Sequence, residues 1–374
     1  MYKESKLKFK RKVLAITYYG RSGSVFLQSL LDNHPNCITI PGCYIMGIQE
    51  WFNKLENNNN NFVINKFCND YKVFFDPKYI NKEPSSTMSK DIGLAHNFHK
   101  VGKNQNEKIL VDKKKFIFSL KNELNNKKHI KITDLFEAIH VAYAYCLEKK
   151  IDNNDWIIFQ LHSSTLSRAV FLKQFNTKII PIIRDPIKSG LSLIKNKFKS
   201  SHGENKKLLQ FFVNTLNNAK PLIGFEEVTQ SIKLEDLHLE SKKTMQIVLD
   251  WMELPWHDNV LISTFNGKLW YNLADTDHVQ GFNKVIINKQ HDDLADNYDK
   301  AFFTLYFNRL YNEWGYSSSG KSILGFFKPF KMEKDNNIFE IISNRFFLIK
   351  NYILNLNFLR IIFRKPYRVY KLLK

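Results

Sequence analysis

Gly20-Arg21-Ser22-Gly23-Ser24 gathers the groups that hold an anion. Its glycines permit unusual dihedrals and close backbone approach. Arg21 supplies a fixed cation with a forked donor set, and Ser22 and Ser24 supply hydroxyls. Placed before a helix, such a turn also presents backbone N–H groups and the positive end of the helix dipole. The same string also reads as a plain strand-to-helix turn, which often holds Gly and Ser. It is neither G-x-x-x-x-G-K-[ST] nor G-x-G-x-x-G. A second cation stands at Arg184, with Ser192 eight residues on. An arginine at the carboxyl end of a strand faces the crevice where open α/β sheets bind ligands. A serine two turns into the next helix could share that face. Standing alone, Arg184-Asp185 reads as an ion pair at a helix start.

His162 follows a strand in the same way, and histidine is the commonest general base near neutral pH. Its alternative is a satisfied, partly buried histidine. His96 and His99 lie three apart without carboxylate or cysteine companions, so no metal is expected there. His140 is expected to face out from a helix or to cap packing on it.

These residues need strands and helices to position them. Val13–Tyr19 reads as a short buried strand, followed by the glycine turn and a helix with apolar Val25, Phe26, Leu27, Leu30 and Leu31. Asn57–Asn61 reads as a solvated loop. Residues 43–150 are assigned as a variable insertion, ending in a helix over Ile132–Glu148. Trp156–Leu161 and Lys178–Ile183 are strand candidates, although Pro181 cannot donate to a ladder. Asp185 suits an N-cap and Pro186 the first helical position. Val228–Leu234 reads as a further strand, Ser241–Leu254 as a helix, and Ala301–Tyr316 as helical up to Gly315. Alternating strands and helices predict an α/β fold with a mainly parallel sheet flanked by helices.

The chain has 374 residues with a net charge of +20. The charge is uneven. Residues 1–12 hold six basic and one acidic residue, and residues 321–374 hold twelve basic and three acidic. The body, 13–320, is therefore close to an ordinary enzyme in charge, and nucleic acid is not an expected partner. No run of about 18 apolar residues occurs, so an ordinary transmembrane helix is not expected. Residues 3–16 lack a secretory h-region. Cys37, Cys43, Cys68 and Cys146 form no C-x-x-C pair, which argues for a reducing, cytoplasmic setting.

The string YGRSGSVFLQSLLDNHP over residues 19–35 resembles the 5′-phosphosulfate loop and following helix of the sulfotransferases that use 3′-phosphoadenosine 5′-phosphosulfate (PAPS). IIPIIRDPIKSGLS over residues 179–192 is similar to the family's second motif, a strand ending in Arg with a Ser eight residues later. The two motifs come in the family's order, each at a strand-to-helix junction. The resemblance implies a P-loop-like sulfotransferase fold, PAPS as co-substrate and no metal. It assigns Arg21, Ser22, Gly23, Ser24 and Val25 to the 5′-phosphosulfate, and Arg184 with Ser192 to the 3′-phosphate. Gln160-Leu161-His162 is similar to the Lys-x-His segment that carries the base in cytosolic members, with Gln160 replacing the lysine. Other members place a glutamate soon after the His-Pro pair, whereas here none occurs before Glu50. A base from residues 43–150 is the alternative to His162. Ile232–Leu237 resembles a strand ending in Glu-Asp-Leu, with a structural role.

The expected activity is transfer of a sulfuryl group to a hydroxyl acceptor, carbohydrate or lipid. A non-catalytic anion-binding scaffold at a membrane and an ATP-dependent kinase are the rival readings. In residues 321–374, phenylalanines alternate with lysines and arginines, which predicts a helical extension. Its expected partner is an anionic membrane surface, making the protein peripheral on the membrane; packing on the protein itself is the alternative.

Overall fold

The structure is a computed structural model. It describes residues 11–18, 22–45, 47–55, 58–80, 92–161, 166–198, 221–222, 224–274, 277–288, 293–317, 320, 330–331, 338–356 and 371–373. Continuous apolar runs build its main sheet from β1 (Lys12–Tyr18), β2 (Cys37–Thr39), β3 (Trp156–Leu161), β4 (Asn176–Ile183) and β5 (Ile232–Lys233). Val13, Leu14, Ala15 and Ile16 are fully buried, as are all the residues of β3. Strands covered on both faces belong to parallel sheets whose crossovers carry helices. The order is β2-β3-β1-β4-β5. Val13–Thr17 runs parallel to Ile157–Leu161, Cys37–Thr39 to Trp156–Ile158, and Ile182–Ile183 to Ile232–Lys233.

The chain divides into two compact units. The first takes residues 1–17, 24–180 and 239–283; the second takes 18–23, 181–238 and 284–374. In the first lie α1 (Ser24–Leu31), α2 (Ile48–Asn53), α3 (Asn60–Asp70), α4 (Ile92–Ala95), α5 (Lys113–Leu124), α6 (Ile132–Cys146) and α7 (Leu166–Leu172). The second begins its helices with α8 (Pro186–Phe198) and α9 (Leu234–Leu239). The chain then returns to the first unit with α10 (Ser241–Met252) and two short hairpins. It finishes in the second with α11 (Lys284–Asn288), α12 (Asn297–Tyr306), α13 (Asn308–Trp314) and α14 (Ile338–Leu356).

An aromatic cluster organises residues 43–150. Phe67 stacks on Tyr71 at 4.8 Å between ring centres and meets Trp51, Phe74 and Phe116 edge-on or stacked. In the second unit, Phe302, Phe303, Phe307 and Trp314 pack with Ile183, Ile187 and Leu191. Phe330 joins that core, 5.3 Å from Phe302 and 4.9 Å from Phe303. Ser231 N donates to Lys371 O at 2.7 Å, and Leu373 N donates to Ser231 O at 2.8 Å.

Three local expectations change and one holds. The Asn run is a loop only in part: Asn58 and Asn59 lie outside a helix, but the Asn59 side chain accepts from Phe62 N at 2.8 Å and α3 starts at Asn60; Asn57 lies outside the described residues. His140 does not face out. It is fully buried on the Phe136 ring, and its Nδ1 donates to Phe136 O at 2.8 Å. Burial holds its pKa down at about 4. The strand expected over Val228–Leu234 is only Ile232–Lys233, and Glu235-Asp236-Leu237 belongs to the first turns of α9, where acidic residues complement the helix dipole. Pro181 does lie inside β4. The ladder to β5 begins only at Ile182, beyond the proline.

Candidate functional site

In the first unit, β1 and β3 run parallel with Thr17 opposite Leu161, so their carboxyl ends share one edge of the sheet. Ser24 opens α1 directly after the glycine turn. Gln160, buried in β3, donates from Nε2 to Ser24 O at 2.9 Å and to Gln28 Oε1 at 3.3 Å. Gln28 in turn donates to Ile40 O at 2.8 Å. The Gln160 side chain is therefore engaged in fixing the start of α1. Nothing in the sequence flags this, because the amide's partner is a backbone carbonyl 136 positions away.

Ser22 and Gly23 belong to the second unit. Ser22 is buried. Gly23 has φ +84°, and a Cβ there would lie 2.5 Å from Leu234 Cδ1. The turn thus needs glycine for its left-handed backbone, and the tip of the Leu234 side chain would have to shift to admit a Cβ. Gly23→Ala is expected to cost about 1–2 kcal/mol from backbone conformation alone. Thermal unfolding checks this, and an unchanged midpoint would contradict it. Val25 is half-buried at the second position of α1. Arg21 and His162 lie outside the described residues, as do Tyr19 and Gly20.

Arg184 follows the last residue of β4 and is 4% exposed. Its Nη2 donates to Ile286 O at 3.1 Å, while its Nε is buried and has no partner among the described residues. Neither nearby acid pairs with it. The Asp185 carboxylate accepts from Ile187 N at 2.9 Å, from Lys188 N at 3.0 Å and from the Tyr311 hydroxyl at 2.9 and 3.0 Å. Glu235 accepts from Asp185 N at 3.1 Å and from the Tyr316 hydroxyl at 2.9 Å. Burial pulls the Arg184 pKa down, and Glu235 and Asp185 oppose that from a distance. His238 is buried beside it, and desolvation together with the arginine's charge holds its pKa at about 4. The imidazole is therefore neutral at physiological pH. Ser192 is buried two turns into α8. Lys188, on the first turn, donates to Ile287 O at 3.0 Å.

This geometry rejects the simple Arg–Asp ion pair, since Asp185 is occupied as the α8 N-cap. Asp185→Ala removes the cap and the Tyr311 acceptor together. It is expected to lower stability by about 1–2 kcal/mol, measured by urea unfolding; no change in midpoint would contradict the capping role. A buried guanidinium with an unpaired N–H fits an external anion. The residues around it that the sequence did not single out are Glu235, Tyr311, Tyr316, His238 and the carbonyl of Ile286. They come from three separate segments, 235–238, 286 and 311–316, and only the Glu-Asp-Leu string carried any signal.

A crevice in the first unit is lined by Gln49, Glu50, Phe136, Phe159, Gln160 and Leu161. Gln49 Oε1 is buried there without a partner among the described residues. Glu50 thus stands in the same crevice as the last residues of β3. His34, the helix-end histidine, is fully buried with Nε2 3.0 Å from Pro255 O, in keeping with a packing role. Among the described residues no cluster of three or more His, Cys, Asp or Glu could hold a metal ion.

No family model matches the chain, and no curated protein matches it. Solved structures similar to it include sulfotransferases. The sulfotransferase domain from the curacin biosynthetic pathway is 12% identical over 82% of this chain and 98% of that one, with a TM-score of 0.46. The sulfotransferase domain from the Synechococcus PCC 7002 olefin synthase is 13% identical over 77% and 90%, with a TM-score of 0.42. Retinol dehydratase, solved with androsterone and the inactive cofactor PAP, is 12% identical over 91% and 80%, with a TM-score of 0.29. Likeness at such identities and TM-scores carries no argument about chemistry, which rests on this chain's own residues.

Proposed function

We propose that this chain is a PAPS-dependent sulfotransferase that moves a sulfuryl group to a hydroxyl acceptor, carbohydrate or lipid. The observation that carries the reading is Arg184, a buried cation at the end of β4 with an unpaired N–H and no carboxylate partner among the described residues. In this reading Arg184 and Ser192 hold the 3′-phosphate. Arg21, the hydroxyls of Ser22 and Ser24, and the N–H groups of Gly23, Ser24 and Val25 hold the 5′-phosphosulfate. PAPS supplies an activated sulfuryl group. Arg21 and the turn N–H groups offset the charge that grows on the 5′-phosphate as the sulfur–oxygen bond breaks. His162 takes the acceptor's hydroxyl proton as the new bond forms. Positioning and electrostatics do the work, as in phosphoryl transfer.

The four cysteines are all free, which suits a cytoplasmic setting. Glu50 is the second candidate for the base, because it lines one crevice with Gln160 and Leu161. Calorimetric titration of the native protein tests the 3′-phosphate assignment. Adenosine 3′,5′-bisphosphate is expected to bind more tightly than AMP. Equal affinities would remove the basis for Arg184 and Ser192 as a phosphate site.

A further inference from the structure

Helix α14 turns a run of apolar side chains to solvent between Ile338 and Phe347. A helix resting on a soluble core directs its apolar stripe inward and its polar face to water. Here, among the described side chains of the helix, the buried ones are Asn344 and Arg345, with Ile341 and Ile349 partly buried, and the Arg345 guanidinium carbon lies 3.6 Å from the centre of the Phe330 ring. Phe330 is itself fully buried against Phe302 and Phe303. This stack fixes the helix about its own axis. Ile338, Ile342 and Phe346 follow one another at four-residue spacing on the outward face, with Phe339 beside them and Phe347 at its margin. Phe339 is 80% exposed and Phe346 69%. The row runs roughly 12 Å along the helix. Among the described residues no helix is long and apolar enough to cross a membrane.

We propose that this face docks on an anionic lipid bilayer, with α14 lying in the interface. Charge selects that occupant. Residues 338–374 hold eight Lys or Arg and one acidic residue, Glu340, a net 8 − 1 = +7. A second copy of the chain would bring the same positive charge to the contact. An anionic bilayer meets both demands of the surface. The headgroup boundary takes in aromatic and aliphatic side chains, and each basic residue near it gains from the negative surface potential. Lys350 is exposed on the same side of the helix and carries charge directly to that boundary. The inference is independent of the sulfotransferase reading.

The test uses the full chain, with vesicles of phosphatidylcholine alone and of phosphatidylcholine with phosphatidylserine. Co-sedimentation is expected with the serine-containing vesicles, less with the neutral ones, and less again at high salt. F339S/F346S is expected to weaken that binding by about tenfold or more, with an unchanged thermal midpoint because both side chains are already exposed. As an independent readout, Phe339→Trp should show a blue-shifted emission when anionic vesicles are added. Equal binding to both vesicle types, no binding, undiminished binding by F339S/F346S or an unshifted emission would each overturn the proposal. Concentration-dependent dimerisation abolished by F339S/F346S would assign the face to a second copy instead.

Discussion

His162→Ala is expected to lower turnover by about 10²–10⁴-fold, the usual cost of removing a general base. Affinity for adenosine 3′,5′-bisphosphate should stay nearly unchanged, because the base acts on the acceptor and not on the nucleotide. Arg21→Ala should damage both quantities, since its cation meets the 5′-phosphate in the ground state and in the transition state. Steady-state and single-turnover kinetics with a true acceptor separate the two patterns. Slow PAPS hydrolysis is a fallback assay, although water need not use the base in the same way. If His162→Ala kept full transfer activity, the base would lie elsewhere. Glu50→Gln would then be the variant to carry the loss, because Glu50 shares a crevice with the residues just before His162.

Arg184→Ala is expected to erase most of the preference for adenosine 3′,5′-bisphosphate over AMP. A charge-assisted hydrogen bond contributes roughly 1.5–3 kcal/mol, about 10- to 150-fold in affinity. Two features of the site keep this variant interpretable. The acids nearest Arg184 already have other donors, so truncation strands no carboxylate that depended on it. Its own bond to Ile286 O is lost, which alters the protein but does not distinguish the two nucleotides. The discriminating quantity is therefore the ratio of the two affinities, measured by calorimetry in native and variant protein. An unchanged ratio would place the 3′-phosphate contact on another residue.

What the sequence revealed follows from how local each signal is. The strands Val13–Tyr19 and Trp156–Leu161 are short apolar runs with a period that neighbouring residues announce, and both appear within a residue of the expected ends. The Asp185-Pro186 helix start was legible because a cap and its helix are adjacent in the chain. Residues 43–150 were opaque because their Lys and Asn content hides a core of sparse, large aromatics such as Trp51, Phe67, Phe74 and Phe116. Their contacts span tens of residues and no short window shows them. The Glu-Asp-Leu string resembles the end of a strand. Its acidic residues instead begin α9, where Glu235 reaches back to Asp185 N. His140 carried no mark of burial, since a carbonyl one turn earlier is available to any helix residue, exposed or buried. Gln160 was visible only as a missing lysine. Its bond to Ser24 O depends on β1 and β3 being sheet neighbours, which follows from topology and not from composition.

The most direct measurement is a side-by-side incubation of the native protein with PAPS and with ATP, across carbohydrate and lipid alcohols, followed by mass analysis of the products. The sulfotransferase account predicts adenosine 3′,5′-bisphosphate and a sulfated acceptor from PAPS, and no phosphorylated product from ATP. A phosphorylated acceptor from ATP would contradict it in favour of a kinase. Tight binding of PAPS with no turnover on any acceptor would contradict it in favour of an anion-binding scaffold.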